Sequence, residues 1–155
     1  MQGSSQSELA VYLAARYSRK DEIKQKSLEL IDMGINCTSR WLDEKCSPTT
    51  TMAETGDAFC LEVANTDIED IDRADVLVLF TENPEIPFVR GGRHFESGYA
   101  YAKGIQTLTC GPKENVFHHL QKIANFDNWE TIKEVLQTIK EIKQYGAAAT
   151  GSHFA

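Results

Sequence analysis

Apolar residues along this chain fall into two spacings. Short unbroken apolar runs bounded by loop residues predict strands buried on both faces, because a strand with one wet face would alternate. LAVYLAA (9–15) and DVLVLFT (75–81) are the clearest runs, and INCTSRWL (35–42), IQTLTCG (105–111) and ANFD (124–127) are weaker ones. Between them lie longer stretches with helical spacing. Ser18 is a candidate N-cap, with Asp21 and Glu22 in the first turn of a helix that runs to about Met33. Ile23, Leu28 and Ile31 form its expected inner face, and Gly34 ends it. A long helix is predicted over about 50–74, open to interruption near Gly56, and another from about His94 to Lys103, ended by Gly104. PKENVFHHL reads as a loop with a short helical turn, and NWETIKEVLQTIKEIKQY (128–145) as an amphipathic helix.

Strands alternating with helices imply right-handed βαβ units. The expected fold class is α/β: a single three-layer, flavodoxin- or Rossmann-like domain over residues 9–143. Its sheet has four or five mostly parallel strands with helices on both faces, and LAVYLAA and DVLVLF adjacent at the centre. Residues 1–8 and 146–155 are expected to be flexible termini. Ligands of such sheets bind outside the carboxyl ends of the strands, where the loops 16–20, 82–92 and 111–115 should gather.

A hydrophobic fraction of 41% is enough for a core, and a net charge of −7 disfavours a nucleic-acid polymer as partner while allowing a small anionic ligand at a local positive site. Cys37, Cys46, Cys60 and Cys110 are scattered with no C-x-x-C pair, as expected of buried thiols in a reducing compartment. No apolar run spans 18 residues and MQGSSQSE lacks a signal-peptide core, so a soluble cytoplasmic protein without membrane association is expected. His118 and His119 are adjacent with no third ligand motif, so neither a metal nor another cofactor is expected.

Two carboxylates stand out. RGGRHFESGYAYAKG (90–104) brings glycines, arginines and a histidine to a helix mouth, with Glu96 where the helix should begin. An acid in a first helical turn is common, being favoured by the helix dipole. Gly91 and Gly92, however, would also let backbone approach a ligand closely, at a strand's carboxyl end. A carboxylate held ionised there suits a nucleophile. Asp67 projects into a helical stripe of Cys60, Val63, Ala64, Ile71 and Ala74, opposite Glu62 and Glu69. An acid facing a sheet caps a turn, pairs with an arginine, or borders a cleft as a proton carrier or sugar ligand. Asp70 and Asp72 read as solvated helix charge.

In order and spacing, VYLAARYSR, TDIEDIDRADVLVLF and GGRHFESGYAYAKG resemble the nucleoside 2-deoxyribosyltransferase family, including relatives that hydrolyse 2′-deoxynucleoside 5′-monophosphates. GPKENVFHHL is similar to phage and bacterial members, and the resemblance covers roughly residues 9–140. It implies cleavage of an N-glycosidic bond through a deoxyribosyl-enzyme, with the sugar passed to another base or to water. Glu96 falls on the family's nucleophile, Asp67 on the aspartate that passes a proton toward the leaving base, and Tyr12 on the tyrosine that holds the glutamate. Tyr12 would otherwise read as a core aromatic. A two-step displacement needs a nucleophilic carboxylate and a separate proton donor.

The family's transferases carry an aspartate shortly before the nucleophile, where this chain offers Arg90, Arg93 and His94. That change favours a substrate bearing phosphate. Arg16, Ser18 and Arg19 lie in the loop through which the monophosphate hydrolases bind phosphate, and a solvated polar loop is the plain alternative. Gly91, Gly92, Arg93, His94 and Asn115 complete the expected substrate-binding set. Lys113 reads as a loop charge, and His118 and His119 could border the site. The resemblance also implies a homodimer or larger homo-oligomer, to which Ile86, Pro87 and Phe88 would contribute apolar surface. The competing class is a non-catalytic nucleotide-binding module on the same fold, with Glu96 as a ribose-hydroxyl ligand.

Overall fold

The computed structural model describes residues 8–44, 56–86 and 91–153, as backbone alone from 147. Five strands form one sheet: β1 Ala10–Ala14, β2 Asn36–Cys37, β3 Val76–Phe80, β4 Gln106–Cys110 and β5 Ile123–Phe126. Their order is β2-β1-β3-β4-β5 and every pair is parallel. The two clearest apolar runs are neighbours at the centre, with Tyr12 opposite Leu77. All five residues of β1 and of β3 are buried, as unbroken apolar runs require.

Among the described residues four helices cover the sheet: α1 Lys20–Asp32, α2 Asp57–Asp72, α3 Gly92–Ala102 and α4 Trp129–His153. α1 and α4 share one face, joined by Trp129 Nε1 donating to Glu29 and Lys140 Nζ donating to the Met33 carbonyl. α2 and α3 share the other, where the Tyr99 hydroxyl donates to Asp72 at 2.6 Å. Among the described residues no helix is long and apolar enough to cross a membrane.

Several expectations need correction. Ile23, Ser27 and Leu30 are the buried face of α1, while Leu28 and Ile31 are exposed. At 100° per residue the i, i+4, i+7 set clusters around Ile23, and Leu28 lies far around the helix. Ser27 is tolerated inside because its hydroxyl bonds the Lys24 carbonyl. Burying Ile23 and Leu30 contributes about 1.5–3 kcal/mol each. Ser18 caps nothing: it lies in a 3₁₀ turn, Tyr17–Arg19, and α1 begins at Lys20 without a side-chain cap.

Only Asn36–Cys37 of INCTSRWL is strand; the chain then turns into a 3₁₀ segment, Arg40–Asp43, where Trp41 and Leu42 are buried. Trp41 is held by its indole N–H donating to the Leu13 carbonyl at 2.8 Å. Gly56, at φ +82°, precedes α2, and the expected earlier part of that helix lies outside the described residues. Ala64 of the expected apolar stripe is exposed. α4 runs through 146–153. The described cysteines, Cys37, Cys60 and Cys110, are free thiols, only Cys110 being fully buried, and Cys46 lies outside the described residues.

Candidate active site

The site lies against β1 between α2 and α3. Tyr12 is fully buried, and its hydroxyl donates to Oε2 of Glu96. Strand alternation sends Val11 and Leu13 to the other face of the sheet, so Tyr12 faces α3. Burial pushes the Tyr12 hydroxyl well above its ordinary range, and the nearby Glu96 and Asp67 carboxylates push it the same way.

Glu96 is not in a first turn. α3 begins at Gly92, with Gly91 as N-cap, so Glu96 sits one turn further in. The helix dipole has faded there. Burial instead raises its carboxyl to about 8; the Tyr12 O–H opposes the rise, and Asp67, Glu44 and Asp70 add to it. The sequence places an acid held ionised by a helix mouth, whereas burial moves the Glu96 carboxyl upward, to about 8.

Asp67 is half-buried on α2, and its Oδ1 is inaccessible with no hydrogen-bond partner among the described residues. Burial raises its carboxyl to about 7, with Glu44 and Asp70 pushing the same way and Arg40 opposing. An unsatisfied buried oxygen is far less costly on a neutral acid than on a carboxylate.

Asp70, read as solvated, is fully buried. It accepts from the Arg40 N–H at 2.9 Å, Arg40 Nε at 2.7 Å and Arg73 Nη2 at 2.6 Å. Three residues on a helix return to within about 60° of the starting direction, so Asp67 and Asp70 share a face. Asp72 remains on the exposed side. The Asp70–Arg40 clamp fixes the start of the 40–44 segment on α2. That segment ends at Glu44, a half-buried carboxyl raised chiefly by burial. Glu44 sits in a polar stretch without periodicity, so nothing in the sequence singled it out.

The three expected loops do meet at the carboxyl ends of the strands. Arg19 forks onto Glu22, with Nε to Oε1 at 3.1 Å and Nη2 to Oε2 at 2.7 Å, and its Nη1 reaches the Thr81 carbonyl at 3.3 Å. Glu82 lies 3.8 Å from Arg16 and 3.7 Å from Arg19. Arg93, expected to bind substrate, is buried with its guanidinium donating to Glu114. His94 Nε2 lies 3.3 Å from the same carboxylate oxygen and Nδ1 lies 3.4 Å from Asn115 Nδ2. Asn115 caps the 3₁₀ turn Val116–His119 by accepting from the Phe117 N–H. His118 is buried beneath it, and His119 and Lys113 are exposed.

Ser18, Gly91 and Gly92 are exposed at the rim. Gly91 has φ −91°, so no left-handed backbone requires it, and a Cβ on either glycine would meet nothing within 4 Å among the described residues. Arg90 lies outside the described residues. The structure thus brings together Tyr12, Glu96 and Asp67. It leaves Arg16, Ser18, His94 and Asn115 accessible or half-accessible around them, and turns Arg93 inward. Glu82 and Glu114, which sequence reasoning missed, each closely follow a strand. β3 and β4 pair with Phe80 opposite Cys110, so both loops leave the sheet side by side.

No protein-family model matches the sequence, and no curated protein matches it. Solved structures do. The 2-deoxyribosyltransferase of Bacillus psychrosaccharolyticus superposes with a TM-score of 0.59 at 18% identity, covering 79% of this chain and 89% of that one. The CMP N-glycosidase of Clostridium botulinum gives 0.51 at 22% identity, over 84% and 97% of the two chains. A conserved protein of Enterococcus faecalis V583 gives 0.51 at 18% identity, over 90% and 99%. The α/β fold is therefore shared with these proteins over most of their length.

Proposed function

We propose that this protein cleaves the N-glycosidic bond of 2′-deoxynucleosides or their 5′-monophosphates through a covalent deoxyribosyl-Glu96 intermediate, and passes the sugar to water or to a second base. The observation that carries this reading is the meeting of Tyr12, Glu96 and Asp67 in one buried place, with the two carboxyls near 8 and 7. The activities named for two structural neighbours, a 2-deoxyribosyltransferase and a CMP N-glycosidase, belong to the same class and support it.

In the first step an oxygen of ionised Glu96 bonds to the anomeric carbon while the bond from that carbon to the base nitrogen breaks. Its electron pair leaves with the base, which takes the proton of Asp67. Tyr12 donates to the Glu96 carboxylate and aims it. In the second step water or another base, deprotonated by the Asp67 carboxylate, attacks the anomeric carbon and releases Glu96. One proton shared between two carboxyls serves both steps, which requires near-neutral values. Among the described residues, the open space over Gly91 and Gly92 leaves room for the sugar to approach.

Assembly as a homodimer or larger homo-oligomer in the cytoplasm fits the exposed Phe95, Val116 and Phe117 around the site. A strictly monomeric mass at micromolar concentration with full activity would count against that part. The reading as a whole is tested by incubating the protein with a panel of 2′-deoxynucleosides and 5′-monophosphates and following free base by chromatography. A second base added to the mixture separates transfer from hydrolysis. Release from no member of the panel refutes it.

A further inference from the structure

We propose that Glu114 is a positioning residue for this reaction: it fixes the first turn of α3 and thereby the aim of Glu96. The inference rests on the glycosidic-cleavage reading above. α3 begins on Gly91 with no side-chain cap and has no acidic residue in its first turn. Both devices that ordinarily fix a helix start are therefore missing locally. Glu114, from the loop after β4, supplies a carboxylate there through tertiary contact.

Its Oε2 takes Arg93 Nη2 and lies 3.3 Å from His94 Nε2, and both residues belong to that first turn. Oε1 accepts from the Glu82 N–H at 3.0 Å, which ties in the end of β3. The Glu114 N–H donates to His118 Nδ1 at 2.9 Å, which seats the loop on a buried ring. The His118 and His94 rings in turn lie 5.8 Å apart. The Glu114 side chain thus joins its own loop to two other segments, the first turn of α3 and the end of β3, at the carboxyl edge of the sheet.

Arg93 and Glu114 are nearly inaccessible, at 1% and 11% side-chain exposure. A buried guanidinium that loses this carboxylate loses a charge-assisted contact that helps to seat it. Glu96 lies three residues after Arg93, less than one turn along the same helix. A shift of that turn carries Glu96 away from Tyr12. Misplacement of a nucleophile by about 1 Å can cost on the order of a hundredfold in rate.

The experiment compares Glu114→Ala and Glu114→Gln with the unmutated protein and with Lys113→Ala as a neighbouring control. Gln keeps an acceptor for the Glu82 N–H but loses the charge facing Arg93. Amide hydrogen exchange should accelerate at least ~10-fold over residues 93–97 in Glu114→Ala, with β1 and β3 unchanged. On whichever substrate the unmutated protein cleaves, kcat should fall ~10- to 100-fold with KM within about threefold, and Glu114→Gln should lie between. Lys113→Ala should match the unmutated protein. Unchanged exchange at 93–97, or a loss confined to KM, overturns the inference. If the unmutated protein cleaves nothing, the functional reading fails, and the exchange measurement alone decides whether Glu114 holds this turn. If Glu114→Ala does not fold, Glu114→Gln carries the same comparison.

Discussion

The Tyr12 hydroxyl donates to Oε2 of Glu96 across 84 positions of sequence, from the sheet to a helix. It opposes the burial that otherwise keeps Glu96 protonated. The contact therefore offsets part of the cost of ionising a carboxyl inside the protein, without returning Glu96 to the ordinary carboxylate range.

Glu96→Ala should abolish base release, a loss of several decades, with the fold retained by circular dichroism. Tyr12→Phe should retain a slow reaction, with kcat lower by ~10- to 100-fold and the Glu96 ionisation moved upward. Mass spectrometry with a 2-fluoro substrate should find the sugar adduct on Glu96 in the unmutated protein. Near-normal base release by Glu96→Ala excludes the glycosyl-enzyme route.

The active form carries one proton between Asp67, near 7, and Glu96, near 8, and the productive arrangement, with that proton on Asp67, is the less populated of the two singly protonated forms. Below about pH 7 both carboxyls are protonated and no nucleophile remains; above about pH 8 both are ionised and no acid remains. The profile of kcat/KM should be a bell with limbs near those values, each falling about tenfold per pH unit, and the limbs belong to the pair. Asp67→Asn should lose the alkaline limb. Its acid limb should then report Glu96 alone and lie no lower than in the unmutated protein, because the first ionisation of a pair is never above that of either member alone. An alkaline limb unchanged in Asp67→Asn would remove Asp67 from the proton path.

The same shifts set a stability trend. Both carboxyls are raised above their ordinary values, so the folded protein keeps protons that the unfolded chain releases. Their contribution is complete below about pH 4 and is lost as pH rises through about 7 and 8. Glu96→Gln should be more stable than the unmutated protein at pH 8, by about 1–3 kcal/mol, and equal to it near pH 4. Denaturant melts at the two pH values decide this, and an equal difference at both contradicts it.

Arg16 and Arg19 should behave differently. Arg19 is forked onto Glu22 and bound to the Thr81 carbonyl, whereas among the described residues Arg16 has a single long contact to Glu82, with a third of its side chain exposed. If the substrate is a monophosphate, Arg16→Ala should raise KM by about one to two decades with kcat little changed. Arg19→Ala should instead lower the melting temperature. Glu82→Gln should improve the monophosphate over the nucleoside, because it removes a negative charge beside both arginines. Equal kinetics for all three variants would return this loop to a solvated structural role.

Asp70→Ala should destabilise the protein by about 2–3 kcal/mol. Three donors lose a buried acceptor, although the half-exposed Arg40 and Arg73 can turn to water. Denaturant unfolding measures it, and a loss below about 0.5 kcal/mol would mean that the clamp contributes nothing.

Residue order alone was enough for much of the architecture. LAVYLAA and DVLVLF are too evenly apolar to have a wet face, and that forces them into the centre of a parallel sheet. Helical phase placed Asp67 against its neighbours' apolar side, and the resemblance joined it to Glu96 and Tyr12. The same phase leaves Leu28 and Ile31 off the buried face of α1 and puts Asp70 on the Asp67 face. What the tertiary structure decided was everything that depends on groups remote in sequence. Glu114 reaches Arg93 over 21 positions, and Arg40 reaches Asp70 over 30. Local periodicity carries no information about such partners. The ionisation of Glu96 was decided there too: a first-turn acid read from sequence is a charged one, and the same acid one turn deeper, desolvated among Asp67, Glu44 and Asp70, holds its proton to about pH 8. Desolvation and charge coupling act through space, so only the folded arrangement sets them.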